Sequence, residues 1–119
     1  MKRREPEREI QTAIVKALRQ HCPHPWFAVP NGGARHIRVA AKLKAEGVRP
    51  GVPDLCFVLP GGHFAGLELK SEKGRLSEHQ IEFRDAALQI GAHWEVAHSF
   101  DEAYGILAAW GCLPSEVRR

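Results

Sequence analysis

The stretch GVPDLCFVLPGGHFAGLELK, residues 51–70, restricts what this 119-residue chain can fold into more than any other. Two apolar, β-prone runs, Leu55 to Leu59 and Phe64 to Leu69, flank Pro60-Gly61-Gly62, and that combination predicts an antiparallel hairpin. Polar residues intrude at Asp54, Glu68 and Lys70. Alternation along a strand puts Glu68 and Lys70 on one face and turns Leu67 and Leu69 to the other, toward a core. Directly opposed residues of a hairpin also share a face, so the loop length decides where Asp54 goes. A loop of Pro60-Gly61-Gly62 pairs Leu59 with His63 and sets Asp54 opposite Glu68. A loop longer by one residue sets Asp54 against Leu69 and sends the two carboxylates to opposite faces.

In the shorter register, two carboxylates and an ammonium meet at the end of a sheet. Carboxylates that close repel unless one takes a proton or a cation lies between them. Hard oxygen ligands suit Mg²⁺ or Mn²⁺, and an acid pair with a lysine suits phosphodiester hydrolysis. A plainer reading fits the same spacing: Asp54 caps a strand, and Glu68 and Lys70 form a surface ion pair. Spacing alone leaves both open.

Around this hairpin the chain alternates between helical and extended patterns. Ile10, Ala13, Ile14, Ala17 and Leu18 recur at helical spacing and predict a helix over about 7–20, with Pro6 in its first turn. Trp26 to Val29 reads as a short strand ended by Pro30-Asn31-Gly32-Gly33, and about 36–46 as a second helix ended at Gly47. After a charged loop from Lys70 to Arg75, Ser77-Glu78-His79-Gln80 has the capping-box pattern, which predicts a helix over about 78–90. Its stripe of Phe83, Ala87 and Ile90 should pack on the sheet, with Ile81 and Leu88 as an outer ridge. Trp94 to Ala97 is the next strand, and Ser99 caps a last helix to about Trp110. The order α-β-α-β-β-α-β-α predicts a mixed sheet flanked by helices, in one domain spanning 1–119.

Composition narrows the class of protein. At 44% hydrophobic and 26% charged, with no apolar run of bilayer length, the chain reads as globular and not membrane-embedded. Met1-Lys2-Arg3-Arg4 begins like a secretory leader, but Glu5, Glu7 and Glu9 follow where an apolar segment is required, so a cytoplasmic location is expected. Cys22, Cys56 and Cys112 are odd in number and dispersed, which fits reduced thiols. His21-Cys22-Pro23-His24 lacks a second ligand pair at zinc spacing and reads as a loop. The net charge is a modest +3, but Arg35, Arg38, Lys42, Lys44 and Arg49 gather between Asn31 and Pro50 against Glu46 alone, a stretch suited to a polyphosphate partner. Trp26, Phe27, Phe57, Phe64, Phe83 and Trp94 fall on strands or buried stripes and are assigned to packing.

Pro53-Asp54 followed by Glu68-Leu69-Lys70 resembles the PD-(D/E)xK nuclease signature. The blocks VPNGG, AAKLKAEGVRPGVPDL, ELKSEKGRLSEHQ and GAHWEVAHSFDEA are similar to successive blocks of the VRR-Nuc (virus-type replication-repair nuclease) family, over nearly the whole chain. The resemblance implies a restriction-endonuclease-like core. It also implies metal ligation by Asp54 and Glu68 with the carbonyl of Leu69, and Lys70 as catalytic lysine. Glu7, with Gln11, matches the family's E-x-x-x-Q element on the first helix, implying a further catalytic or metal-binding acid; an acid near a helix N-terminus is the plainer account. Gln80 matches a glutamine that follows the lysine motif, although the capping box already explains it. Asn31, Gly32 and Gly33 resemble a loop near the active centre, and Arg35, Arg38, Lys42, Lys44, Arg49, Lys73 and Arg75 would meet phosphates around the cleft.

The expected function is then a Mg²⁺- or Mn²⁺-dependent endonuclease acting on branched or structured DNA in replication or repair. It is similar to dimeric enzymes that resolve Holliday junctions, and needs no small-molecule cofactor. The alternatives are a nucleic-acid-binding module with the same fold that does not cut, and a zinc-binding interaction domain around His21, Cys22 and His24.

Overall fold

In the computed structural model, residues 6–30 and 37–115 are described, apart from the side chain of Ile37. The expected loop residues Asn31, Gly32, Gly33 and Arg35 lie outside them. The elements run α1 (Glu7–His21), β1 (Trp26–Ala28), α2 (Ile37–Ala45), β2 (Leu55–Leu59), β3 (His63–Leu69), α3 (Glu78–Gln89), β4 (His93–Ala97) and α4 (Phe100–Ala109). This is the order read from the sequence.

The strands form one sheet in the order β1-β2-β3-β4. β1 and β2 pair antiparallel, as do β2 and β3, and β3 pairs parallel with β4. A parallel neighbour needs a crossover, and α3 supplies it by carrying the chain over one face of the sheet. Leu59 faces His63 and Leu55 faces Leu67, so the hairpin closes with the shorter loop. Gly61 and Gly62 turn it at φ of 86° and 79°, a region that side-chain-bearing residues rarely occupy.

That register sorts the side chains. Leu55, Phe57, Leu59, Ala65, Leu67 and Leu69 point to one face, where Ile10, Ile14 and Leu18 of α1 and Ala103 and Leu107 of α4 close the core over them. α1 presents these residues because they recur every turn on one side, and exposed Arg8, Thr12, Lys16 and Arg19 cover the other. The other face carries Phe27, Cys56, Val58, Phe64 and Gly66, and α3 covers part of it, with Phe83 edge-on to Phe64 at 6.4 Å and Ala87 buried.

Two apolar assignments are corrected. Ile90 is the C-cap of α3 rather than part of its inner stripe, and at 86% exposure it packs on nothing substantial. Phe27 is 53% exposed, because among the described residues α3, which joins β3 to β4, makes no substantial contact with β1. Leu88 of the expected outer ridge is exposed, and Ile81 is half-buried.

The thiols are not all apart. Cys22, after α1, and Cys112, after α4, share a hydrogen bond, and burial together with this neighbour pushes the Cys112 thiol up to about 12. All three cysteines are free. Among the described residues no helix is long and apolar enough to cross a membrane.

Candidate active site

Asp54 precedes β2 at the position opposite Glu68 of β3, so both carboxylates lie on the face under α3. Pro53 sets the approach. It is buried against Gly66, and a Cβ on Gly66 would overlap its ring, so a side chain there would displace the residue that leads into Asp54. The preceding loop is held as well. Gly51, at φ 86°, lies so close to the His79 backbone that a Cβ would overlap it, and the Arg49 guanidinium sits 5.4 Å from the Phe83 ring centroid.

Backbone bonds fix Asp54 on two sides. Its carbonyl accepts from Val29 N–H at 3.0 Å, and its Oδ2 accepts from Leu69 N–H at 2.8 Å. In an antiparallel ladder a residue's N–H and C=O face the same neighbour, so the Leu69 carbonyl is directed to the Asp54 side of β3.

Glu68 is 3% exposed, which rules out a solvated surface ion pair with Lys70. Its Oε2 accepts from Gln80 Nε2 at 2.7 Å and lies 3.9 Å from Lys70 Nζ. Its Oε1 is buried and finds no hydrogen-bond partner among the described residues. Burial, foremost, and the neighbouring Asp54 charge push Glu68 up to about 8; Lys70 pulls it back in part, and Glu7 adds a smaller upward influence. Burial, Asp54 and Glu68 likewise push the nearby Cys56 thiol up to about 11.

Gln80 performs both jobs that its position suggests. Its Oε1 accepts from Ser77 N–H at 2.8 Å while its own N–H donates to Ser77 Oγ at 3.2 Å, which completes the capping box. The amide nitrogen left over reaches Glu68. One residue thereby starts α3 and registers it over the carboxylates.

The structure thus brings Asp54, Glu68, Lys70 and Gln80 together. Glu7, the first residue of α1, is exposed and close enough for its charge to act on Glu68. Arg38, Lys42, Lys44, Arg49, Lys73 and Arg75 are all exposed, and Lys42 also pairs with Glu46 at 3.9 Å. Among the described residues no group of three or more His, Cys, Asp or Glu side chains is arranged to hold a metal ion. The donor set here is instead two carboxylates with a backbone carbonyl beside them. A buried carboxylate facing a half-buried one, with an oxygen that lacks a donor, fits a divalent cation by charge and ligand type. His98 escaped the sequence reading: its ring reaches Gly74, just beyond Lys70, but in sequence it stands beside the helix-capping Ser99 and carries no spacing signal.

A four-stranded mixed sheet with helices on both faces, and an acid pair at a strand end, defines a mixed α/β fold. A solved VRR_NUC domain protein shares it, with a TM-score of 0.76 over 95% of this chain and 93% of that one, at 23% identity. The family profile of the VRR-NUC domain matches residues 5–101, and the chain belongs to that family of nuclease domains. A comparison with curated proteins finds no match.

Proposed function

We propose that this chain is a metal-dependent endodeoxyribonuclease of the cytoplasm that hydrolyses phosphodiester bonds in branched or structured DNA. The observation that carries the reading is buried Glu68 facing half-buried Asp54, with one Glu68 oxygen lacking a donor and the Lys70 ammonium 3.9 Å from the other. Asp54 and Glu68, with the Leu69 carbonyl, would hold Mg²⁺ or Mn²⁺, and Glu7 stands near enough to assist through charge. When bound, such an ion lowers the pKa of water and withdraws charge from a phosphoryl oxygen. Lys70 orients the attacking water and stabilises the negative charge that develops. Gln80 holds the Glu68 carboxylate in place from above. The cations of α2 and of the loop after Lys70, with the 31–33 segment, would grip phosphates without reading bases.

Asp54→Ala tests the assignment on labelled linear, flap and four-way DNA with Mg²⁺ or Mn²⁺. Cleavage should fall by at least about 100-fold while binding in Ca²⁺ persists. Unchanged cleavage removes Asp54 from the site. Symmetric incision of the four-way substrate, by a protein that sediments as a dimer, is the outcome expected of a junction-resolving homodimer. Binding without cleavage on every substrate would mark a non-cutting module.

A further inference from the structure

His98 follows β4 and stands outside the cluster of Asp54, Glu68, Lys70 and Gln80. Its Nε2 lies 3.2 Å from the Gly74 carbonyl oxygen. A carbonyl oxygen only accepts, so Nε2 carries the hydrogen in this contact. Nδ1 is 3.7 Å from Glu102 Oε1, and that same oxygen accepts the His98 backbone N–H at 2.8 Å. Glu102 therefore anchors His98 to the first turn of α4.

Gly74 closes a turn by donating its N–H to the Ser71 carbonyl at 2.9 Å. A Cβ built on Gly74 would stand 3.1 Å from Lys70 Cβ and 3.3 Å from Lys70 Cδ, so the turn's backbone lies against the aliphatic stem of the lysine. The Lys70 side chain is 14% exposed, and its backbone N–H donates to the Ala97 carbonyl at 2.9 Å. Adjacent residues thus grip this segment twice: Ala97 holds the backbone of Lys70, and the His98 ring holds the turn that supports its side chain.

We propose that His98 is a positioning residue for Lys70, its Nε2–H fastening the Ser71–Gly74 turn against the lysine stem so that the ammonium stays aimed at Glu68. The proposal rests on the catalytic reading of Lys70 given above. A lysine stem has many rotamers, and small misplacement of a reacting group is costly in rate, so a turn that restricts the stem acts on turnover rather than on DNA affinity. His98 itself touches no reacting atom.

Two readouts test this on the full chain. The first needs no nuclease activity: NMR relaxation at Lys70 Cε in ¹³C-lysine-labelled protein, assigned with Lys70→Met. Lys70 should be ordered in the wild type and in His98→Gln, whose amide supplies the same donor, and mobile in His98→Ala; unchanged order in His98→Ala overturns the proposal. The second is Mn²⁺-dependent cleavage of the preferred DNA. His98→Ala should lower kcat about tenfold, as loss of one positioning hydrogen bond implies, with Kd in Ca²⁺ unchanged and rescue by His98→Gln. A loss confined to DNA affinity or to melting temperature, with kcat intact, also overturns it. Should the wild type cut no DNA, the nuclease reading fails, and the relaxation experiment still decides whether His98 positions Lys70.

Discussion

Glu68 concentrates the chemistry of this chain. Its carboxyl is buried beside Asp54, and its pKa rises from an ordinary 4.5 to about 8, so the folded, metal-free protein holds this proton more tightly than the unfolded chain does. A raised pKa contributes stability that is fully present below the unfolded value and is lost as pH climbs through the folded one. Metal-free protein should therefore melt progressively lower between about pH 5 and pH 9, with a loss on the order of several kcal/mol. Glu68→Gln should flatten that dependence and melt above the wild type at pH 9. Parallel pH profiles of the two proteins would place the titration elsewhere. The face of Glu68 was legible in the sequence, since alternation with Leu67 and Leu69 dictates it. Its burial was not, because coverage by Gln80 and the depth of the sheet end depend on where α3 docks.

At the scale of elements, local chemistry was read more reliably than coverage. The Pro60-Gly61-Gly62 loop fixed the hairpin register, and with it the meeting of Asp54 and Glu68, because a two-residue period leaves a strand no intermediate setting. The Ser77–Gln80 capping box was equally local. Phe27 and Ile90 misled because apolarity marks a face that can be buried, whereas the crossover of α3 decides which face is. The capping box also separates structure from catalysis. Ser77→Ala removes one cap bond and should cost about 1 kcal/mol in thermal or chemical unfolding, with cleavage per folded molecule retained. Gln80→Ala removes the reciprocal bond and the Glu68 contact, and should cost about 1–2 kcal/mol and lower cleavage as well. Equal cleavage by both variants would reduce Gln80 to a helix cap.

Across the whole molecule, further cations on α2 and on the loop after Lys70 are exposed outside the cluster of Asp54, Glu68, Lys70 and Gln80. α2 makes no substantial contact with other helices or strands among the described residues, and its Arg38, Lys42 and Lys44 are exposed on the helix that leads into the loop before Asp54. Phosphate contacts release counterions, so DNA affinity in Ca²⁺ should fall steeply with salt, and Lys42→Gln with Lys44→Gln should lower the logarithmic slope by about 1–2. An unchanged slope would leave these lysines as solvated surface. The sequence revealed this charge but not its setting, since no helical period states how far a helix packs on its neighbours.

The decisive measurement is a calorimetric titration of the metal-free protein with Mn²⁺ at pH 7, in two buffers of different ionisation enthalpy. Glu68, raised to about 8, is largely protonated at that pH, and a cation shared with Asp54 must displace the proton. The wild type should bind with release of close to one proton, while Asp54→Ala should bind far more weakly and Glu68→Gln should bind weakly with no such release. Binding of equal strength in all three proteins, or wild-type binding that liberates no proton, would contradict a metal centre built on these two carboxylates.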